Sequence, residues 1–299
     1  MLRKRIILIG LGCLCVVPFA LALTQVQARS GDPVDRNPAL RGVPPGVQIV
    51  LPSTAPGYKI ITLASGLMSP RGVGVKPSGA YVYVCTEDDY SLWVYHDGAI
   101  HRLLTMPSPD AALHASRYRA GYIAGSDLGQ VIKFAGGAGH NLLAVPYSDV
   151  ITALDVDRSN GDIYFAVTSE VYRLPKGQNT AVHITTLPDT TWGLAVRGSQ
   201  LYISQSIEGL IYRMPKSGGP LTTIASGLTG PCDLGFDGAG NLYVCDFNGG
   251  TIERLRAGTW ARKTIVWDLG FPYYLGLDSK GDIYFSDFER GILYKVKKT

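Results

Sequence analysis

At 299 residues, 46% hydrophobic and only 17% charged, the chain can bury a large core and is not a disordered polymer. Its formal charge of +4 is mild, and Arg3, Lys4 and Arg5 supply three of those charges, so removing them takes +4 to about +1. That leaves no concentrated basic face for a nucleic-acid partner.

The chain opens with a basic Met1 to Arg5 followed by an uninterrupted apolar run from Ile6 to Ala22. This is the pattern of an export signal, with Ala20-Leu21-Ala22 and Val26-Gln27-Ala28 as cleavage sites. Pro18, just before the first of these, favours cleavage over retention as an anchor, although the run approaches the length needed to span a bilayer. A lipoprotein reading through Cys13 meets Gly10 where a lipobox carries leucine. Residues 1–28 are therefore read as signal peptide or N-terminal anchor. The protein is expected to be secreted or periplasmic, with membrane attachment only through an uncleaved N-terminal segment. Residues 29–57 follow as a proline-rich linker, with Pro33, Pro38, Pro44, Pro45, Pro52 and Pro56 and no sustained pattern.

From residue 58 onward the chain repeats itself. Five segments read apolar-Tyr-apolar-small: Val82 to Cys85, Ile163 to Ala166, Leu201 to Ser204, Leu242 to Cys245 and Ile283 to Ser286. Gly121-Tyr122-Ile123-Ala124 is a looser sixth copy, and the six tyrosines are 39, 42, 38, 41 and 41 residues apart. A strand of the type Pro-x-Gly-apolar-x-apolar, as in Pro70 to Val75, precedes each core across a tight turn. A third strand such as Leu210 to Met214 and a fourth such as Leu221 to Ala225 come after it. Four short strands in about 40 residues is the period of a propeller blade. The expected fold is all-β, a six-bladed β-propeller over residues 58–299.

The ends of the repeat predict how the ring closes. The last repeat stops after its third strand, at Lys298-Thr299, while Tyr58 to Leu63 is a strand with no repeat before it. Tyr58 to Leu63 continues as Ala64-Ser65-Gly66-Leu67, and the outer strand of the fourth repeat continues identically as Ala225-Ser226-Gly227-Leu228. The N-terminal strand should therefore be the outer strand of the last blade, hiding an edge that would otherwise be open.

Asp157, Asp237 and Asp278 stand before the glycine-containing turns, and Asx-turn hydrogen bonding accounts for them. Asp246 and Asp287 recur just after the tyrosine cores and are read as structural as well. Cys85, Cys232 and Cys245 are too few and too irregular for a disulfide scaffold or a zinc site, and a bond between Cys232 and Cys245 is left open. No phosphate loop, dinucleotide fingerprint or hydrolase elbow is present, so no cofactor is expected.

Taken together, these repeats resemble the NHL-repeat and gluconolactonase-like superfamily of propellers, which includes regucalcin and strictosidine synthase-like proteins. The best-matching stretch is Pro231 to Leu255, with its Asp-Gly-x-Gly-Asn-Leu-Tyr-Val run. In the metal-dependent branch, the resemblance implies a calcium ion held in the central channel by residues just before the glycine of each inner strand. At those places this chain carries Arg71, Ala111, Thr152, Trp192, Cys232 and Tyr273, with Asp110 and Asp233 one residue out of register. A ring containing Arg, Trp, Cys and Tyr does not offer calcium its cage of hard oxygens, so no metal is expected. Arg71, His114, Thr152, Trp192, Cys232, Asp233 and Tyr273 become the candidate ligand-binding residues, with Arg71 pairing with a carboxylate such as Asp233 or Asp110. Aromatic rings beside one guanidinium suit an organic anion or a sugar. The expected function is an extracytoplasmic propeller that binds a small organic ligand or a protein partner through its channel face. A gluconolactonase-like hydrolase or strictosidine synthase-like enzyme with a non-standard channel site is the alternative.

Overall fold

The computed structural model describes residues 50–89, 91–105, 122–125, 130–135, 138–144 and 151–299. Every regular element among them is a strand. Two strands precede the repeats, β1 (Ser53–Thr54) and β2 (Tyr58–Ser65). Sheet I is β3 (Pro70–Val75), β4 (Val82–Thr86), β5 (Ser91–His96) and β6 (Ala99–Thr105). Sheet II is β7 (Tyr122–Gly125), β8 (Gln130–Ala135) and β9 (Ala138–Ala144). Sheet III is β10 (Ile151–Val156), β11 (Ile163–Val167), β12 (Glu170–Leu174) and β13 (Val182–Thr186). Sheet IV is β14 (Thr191–Arg197), β15 (Gln200–Gln205), β16 (Leu210–Pro215) and β17 (Thr222–Ala225). Sheet V is β18 (Pro231–Phe236), β19 (Leu242–Asp246), β20 (Thr251–Leu255) and β21 (Arg262–Trp267). Sheet VI is β22 (Pro272–Leu277), β23 (Ile283–Asp287) and β24 (Ile292–Lys298), completed by β2.

The architecture is an all-β propeller with five complete blades rather than six. The difference lies in sheet II, which has three strands among the described residues. Its repeat is the loosest, with Gly121 where the other cores carry a branched apolar residue, and the inner strand expected around Ala111 falls outside the described residues.

Ring closure follows the sequence expectation. β2 pairs antiparallel with β24, from Tyr58 opposite Lys298 to Ser65 opposite Ile292. The linker span also holds a strand that the sequence did not announce. β1 pairs with β21, the Ala55 amide donates to the Ile265 carbonyl at 2.9 Å, and Ala55 is buried. The segment before the repeats therefore lies along the outer edges of two neighbouring blades and covers both.

The tyrosine cores are buried because a neighbouring blade covers each face. Ile163, Tyr164, Phe165 and Ala166 are all buried, as are Leu242 to Cys245 and Ile283 to Ser286. Each large side chain so enclosed contributes roughly 1.5–3 kcal/mol relative to exposure. Close approach between blades depends on glycine at the inner strands. A Cβ on Gly193 would stand 2.2 Å from the Cys232 carbonyl oxygen, and one on Gly276 would stand 2.5 Å from Val75 Cγ2. The fourth place of the core motif joins blades where it is serine. Ser204 Oγ donates to the Cys232 carbonyl and Ser286 Oγ donates to the Arg71 carbonyl, each at 2.6 Å. Two inner-strand carboxylates do the same work: Asp155 accepts from the Val196 amide at 2.7 Å, and Asp233 from the Leu275 amide at 3.1 Å.

Candidate functional site

All the described inner strands run in one sense, so the channel has an upper mouth, where they begin, and a lower mouth, where they turn back into the cores. Arg71, Thr152, Trp192, Cys232 and Tyr273 occupy the second position of β3, β10, β14, β18 and β22. At that place every one of these strands has a β-bulge against its core strand. A bulge adds a residue to one side of a ladder and re-aims its side chain. Five bulges in register set these five residues around the upper mouth. His114 lies outside the described residues.

The centre of the upper mouth is Arg71. Its guanidinium carbon sits 5.0 Å from the Tyr273 ring centroid and 5.5 Å from that of Phe288, within range for a cation over an aromatic face. Its Nε meets Glu87 Oε2 at 2.7 Å. Burial works against the guanidinium charge, but Tyr273, Glu87 and Tyr274 outweigh it and raise the pKa above its ordinary value. Among the described residues Glu87, just beyond the adjacent core strand, pairs with Arg71; Asp110, one of the two carboxylates the sequence offered, lies outside the described residues. Asp233 is instead buried and spans to the next blade through the Leu275 amide.

Aromatic rings build the rest of the cup. Trp192 meets Tyr273 edge-on at 5.9 Å, and Phe247 meets Tyr273 edge-on at 5.1 Å while stacking on Phe271 at 4.6 Å. Trp192, Phe247, Phe271 and Phe288 are half-buried and Tyr273 is buried. The three phenylalanines escaped the sequence reading, although Phe247 and Phe288 both follow the aspartate that closes a core strand. Tyr274 forms the floor. It stacks on Tyr273 at 4.9 Å and its hydroxyl crosses the channel to donate to the Thr152 carbonyl at 3.0 Å. Burial, with Tyr273 next, raises the Tyr274 pKa well above its ordinary value, so this hydroxyl stays a donor. Thr152 Oγ1 is buried beside this contact and makes no hydrogen bond among the described residues.

These residues do not fit a calcium ion. Arg71 brings a positive charge, the Asp233 carboxylate accepts a backbone amide, and among the described residues no three His, Cys, Asp or Glu side chains group around a common point.

A cavity of about 450 Å³ opens at the lower mouth, lined by Val75, Val196, Phe236 and Leu277 and by the turn residues Asp157, Asp237 and Asp278. Its turn carboxylates are already used. Asp157 accepts from the Ser159 amide and hydroxyl and from Lys216. Asp237 accepts from the Asn241 amide and side chain, the Tyr243 hydroxyl and Lys298, and Asp278 from the backbone amides of Lys280 and Asp282 and the Tyr284 hydroxyl. Asp246 and Asp287, near the upper face, cap the loops at Thr229-Gly230 and Gly270-Phe271. The lower cavity has volume but its polar groups hold the fold; the upper mouth holds the half-exposed chemistry.

No family model matches the chain, and no curated protein matches it. Solved structures do. A gluconolactonase from Xanthomonas campestris superposes with a TM-score of 0.70 at 16% identity, over 82% of this chain and 91% of that one. A luciferin-regenerating enzyme gives 0.67 at 11% identity, over 81% and 95%. A streptogramin B lyase gives 0.61 at 14% identity, over 81% and 98%. At these identities the likeness is one of fold: the chain is a β-propeller with gluconolactonase-like neighbours.

Proposed function

We propose that the chain is an extracytoplasmic propeller that binds a small organic ligand at the upper mouth of its channel. The observation that carries this reading is Arg71, a charged guanidinium seated on aromatic rings over a floor closed by Tyr274. Apolar walls with a few convergent polar groups are the usual make-up of a ligand site. The tyrosine period and sheet II, with three strands among the described residues, support a sixth blade of the NHL type, and the basic-apolar N-terminus supports export.

Ligand-observed NMR with a panel of small organic acids and sugars tests the function. Wild type should bind members of the panel, and Arg71→Gln and Trp192→Ala should lose them while keeping the fold. Loss of stability on both substitutions with nothing bound by wild type would make the rings a channel plug.

A further inference from the structure

The inference here rests on the binding reading of the upper mouth and concerns what the site accepts. Arg71 already holds one carboxylate, that of Glu87. The two partners are held very differently. The guanidinium lies against both the Tyr273 and Phe288 rings, and the Arg71 carbonyl is tied to Ser286 in the neighbouring blade. Glu87 lies just beyond β4; its amide donates to the Ser69 carbonyl at 3.1 Å, while its side chain remains 30% exposed. The main chain of Glu87 is pinned while its carboxylate borders solvent.

We propose that Glu87 is an internal stand-in for the ligand, and that the ligand is a small monocarboxylate with a flat apolar body. On binding, the ligand carboxylate takes the Arg71 guanidinium and Glu87 moves to solvent. One carboxylate replaces another, so a buried charge is never left without its counter-charge, the step that would otherwise make exchange costly. The apolar body follows from the walls. Trp192, Phe247, Phe271 and Phe288 present half-buried rings that reward flat apolar surface and leave a polyol's hydroxyls without partners. Asp88 and Asp89, next in the loop after β4, are held by the Ser69 hydroxyl and by Thr86 and Arg102, and a single carboxylate on the ligand matches the single guanidinium of Arg71.

Isothermal titration of the full propeller with phenylacetate, and with gluconate as the hydroxylated comparator, tests this. Glu87→Gln should bind phenylacetate about tenfold more tightly than wild type, the scale of one charge-assisted competitor removed. Arg71→Gln should abolish that binding in either background. If Arg71→Gln abolishes binding but Glu87→Gln does not tighten it, the stand-in idea fails and the binding site survives. If Arg71→Gln leaves phenylacetate binding intact, both fail. Gluconate bound more tightly than phenylacetate, or no phenylacetate bound by Glu87→Gln, would overturn the ligand class. A readout independent of variants is the Arg71 Nε–H resonance of wild type, which should shift on saturation with phenylacetate; an unmoved resonance contradicts the exchange.

Discussion

The two mouths of one channel are built from the same repeat yet differ in what their charged groups do. At the lower mouth, each turn carboxylate is saturated by its own turn and by a lysine, and two of those lysines come from another blade. Lys216 of sheet IV reaches past β16 to Asp157 of sheet III, and Lys298 of sheet VI reaches Asp237 of sheet V at 3.0 Å. At the upper mouth the charged pair, Arg71 and Glu87, lies within one blade, partly exposed and ringed by aromatic faces. Repetition serves cohesion at one end. Departure from repetition, with Arg, Thr, Trp, Cys and Tyr at one equivalent position, makes the other end a candidate site.

The largest expected effect breaks the spacing that both mouths share. Gly193→Ala puts a methyl group 2.2 Å from the Cys232 carbonyl oxygen and 2.9 Å from Asp233 Cα, both backbone atoms. Chemical denaturation should show a loss of about 3 kcal/mol, the scale of overpacking in a core. Binding should weaken with it, since Trp192 and Cys232 flank the contact.

Asp237→Ala should act on the lower mouth alone. It strips acceptors from Asn241, Tyr243 and Lys298, and burial of unanswered partners should cost about 2–3 kcal/mol. Phenylacetate affinity should stay within twofold of wild type; a larger change would mean the mouths are coupled.

Acid titration sharpens the same contrast. For Asp157, burial alone would raise the pKa, but hydrogen bonds from Lys216 and Ser159 hold it below its ordinary 3.8. For Asp237, Asn241 and Lys298 likewise outweigh burial. A depressed carboxylate contributes stability that is present above the unfolded value and lost as pH falls through the folded one. Asp287 runs the other way, because burial raises its pKa despite the amides of Gly270 and Arg290, so its protonation on acidification favours the fold. Stability should therefore fall steeply only below about pH 4. Asp157→Asn with Asp237→Asn should flatten that fall, whereas Arg71→Gln should leave its shape unchanged.

The smallest stability effect is expected at Thr152→Val, which exchanges an unpartnered buried hydroxyl for a methyl group of the same shape. Folding stability should stay within about 0.5 kcal/mol of wild type. A loss of 2 kcal/mol in urea denaturation would mean that Oγ1 has a structural partner after all.

Much of the fold could be read from residues because the repeat states it several times. The tyrosine cores, the turn aspartates and the closing strand Tyr58–Ser65 each follow from a pattern that recurs or from an end that lacks its partner. What could not be read depends on geometry that leaves no recurring letter. The bulge at the second place of each inner strand is a backbone event, compatible with Arg, Thr, Trp, Cys or Tyr. The serine links from Ser204 and Ser286 look, in sequence, like any small residue at the end of a core. Glu87 was not legible as a partner of Arg71 because an inner strand and the residue after its core strand meet only once the hairpin folds. Sheet II marks where the repeat is weakest, and there five complete blades are described where the period of tyrosines predicts six.

The central claim, that the upper mouth binds and the lower mouth holds the ring together, is tested most directly by measuring Tm and phenylacetate titration side by side on Arg71→Gln and Asp237→Asn. The account predicts that Arg71→Gln loses binding with Tm lowered by no more than about 3 °C, while Asp237→Asn keeps binding and loses clearly more. Binding lost in Asp237→Asn and retained in Arg71→Gln would contradict it.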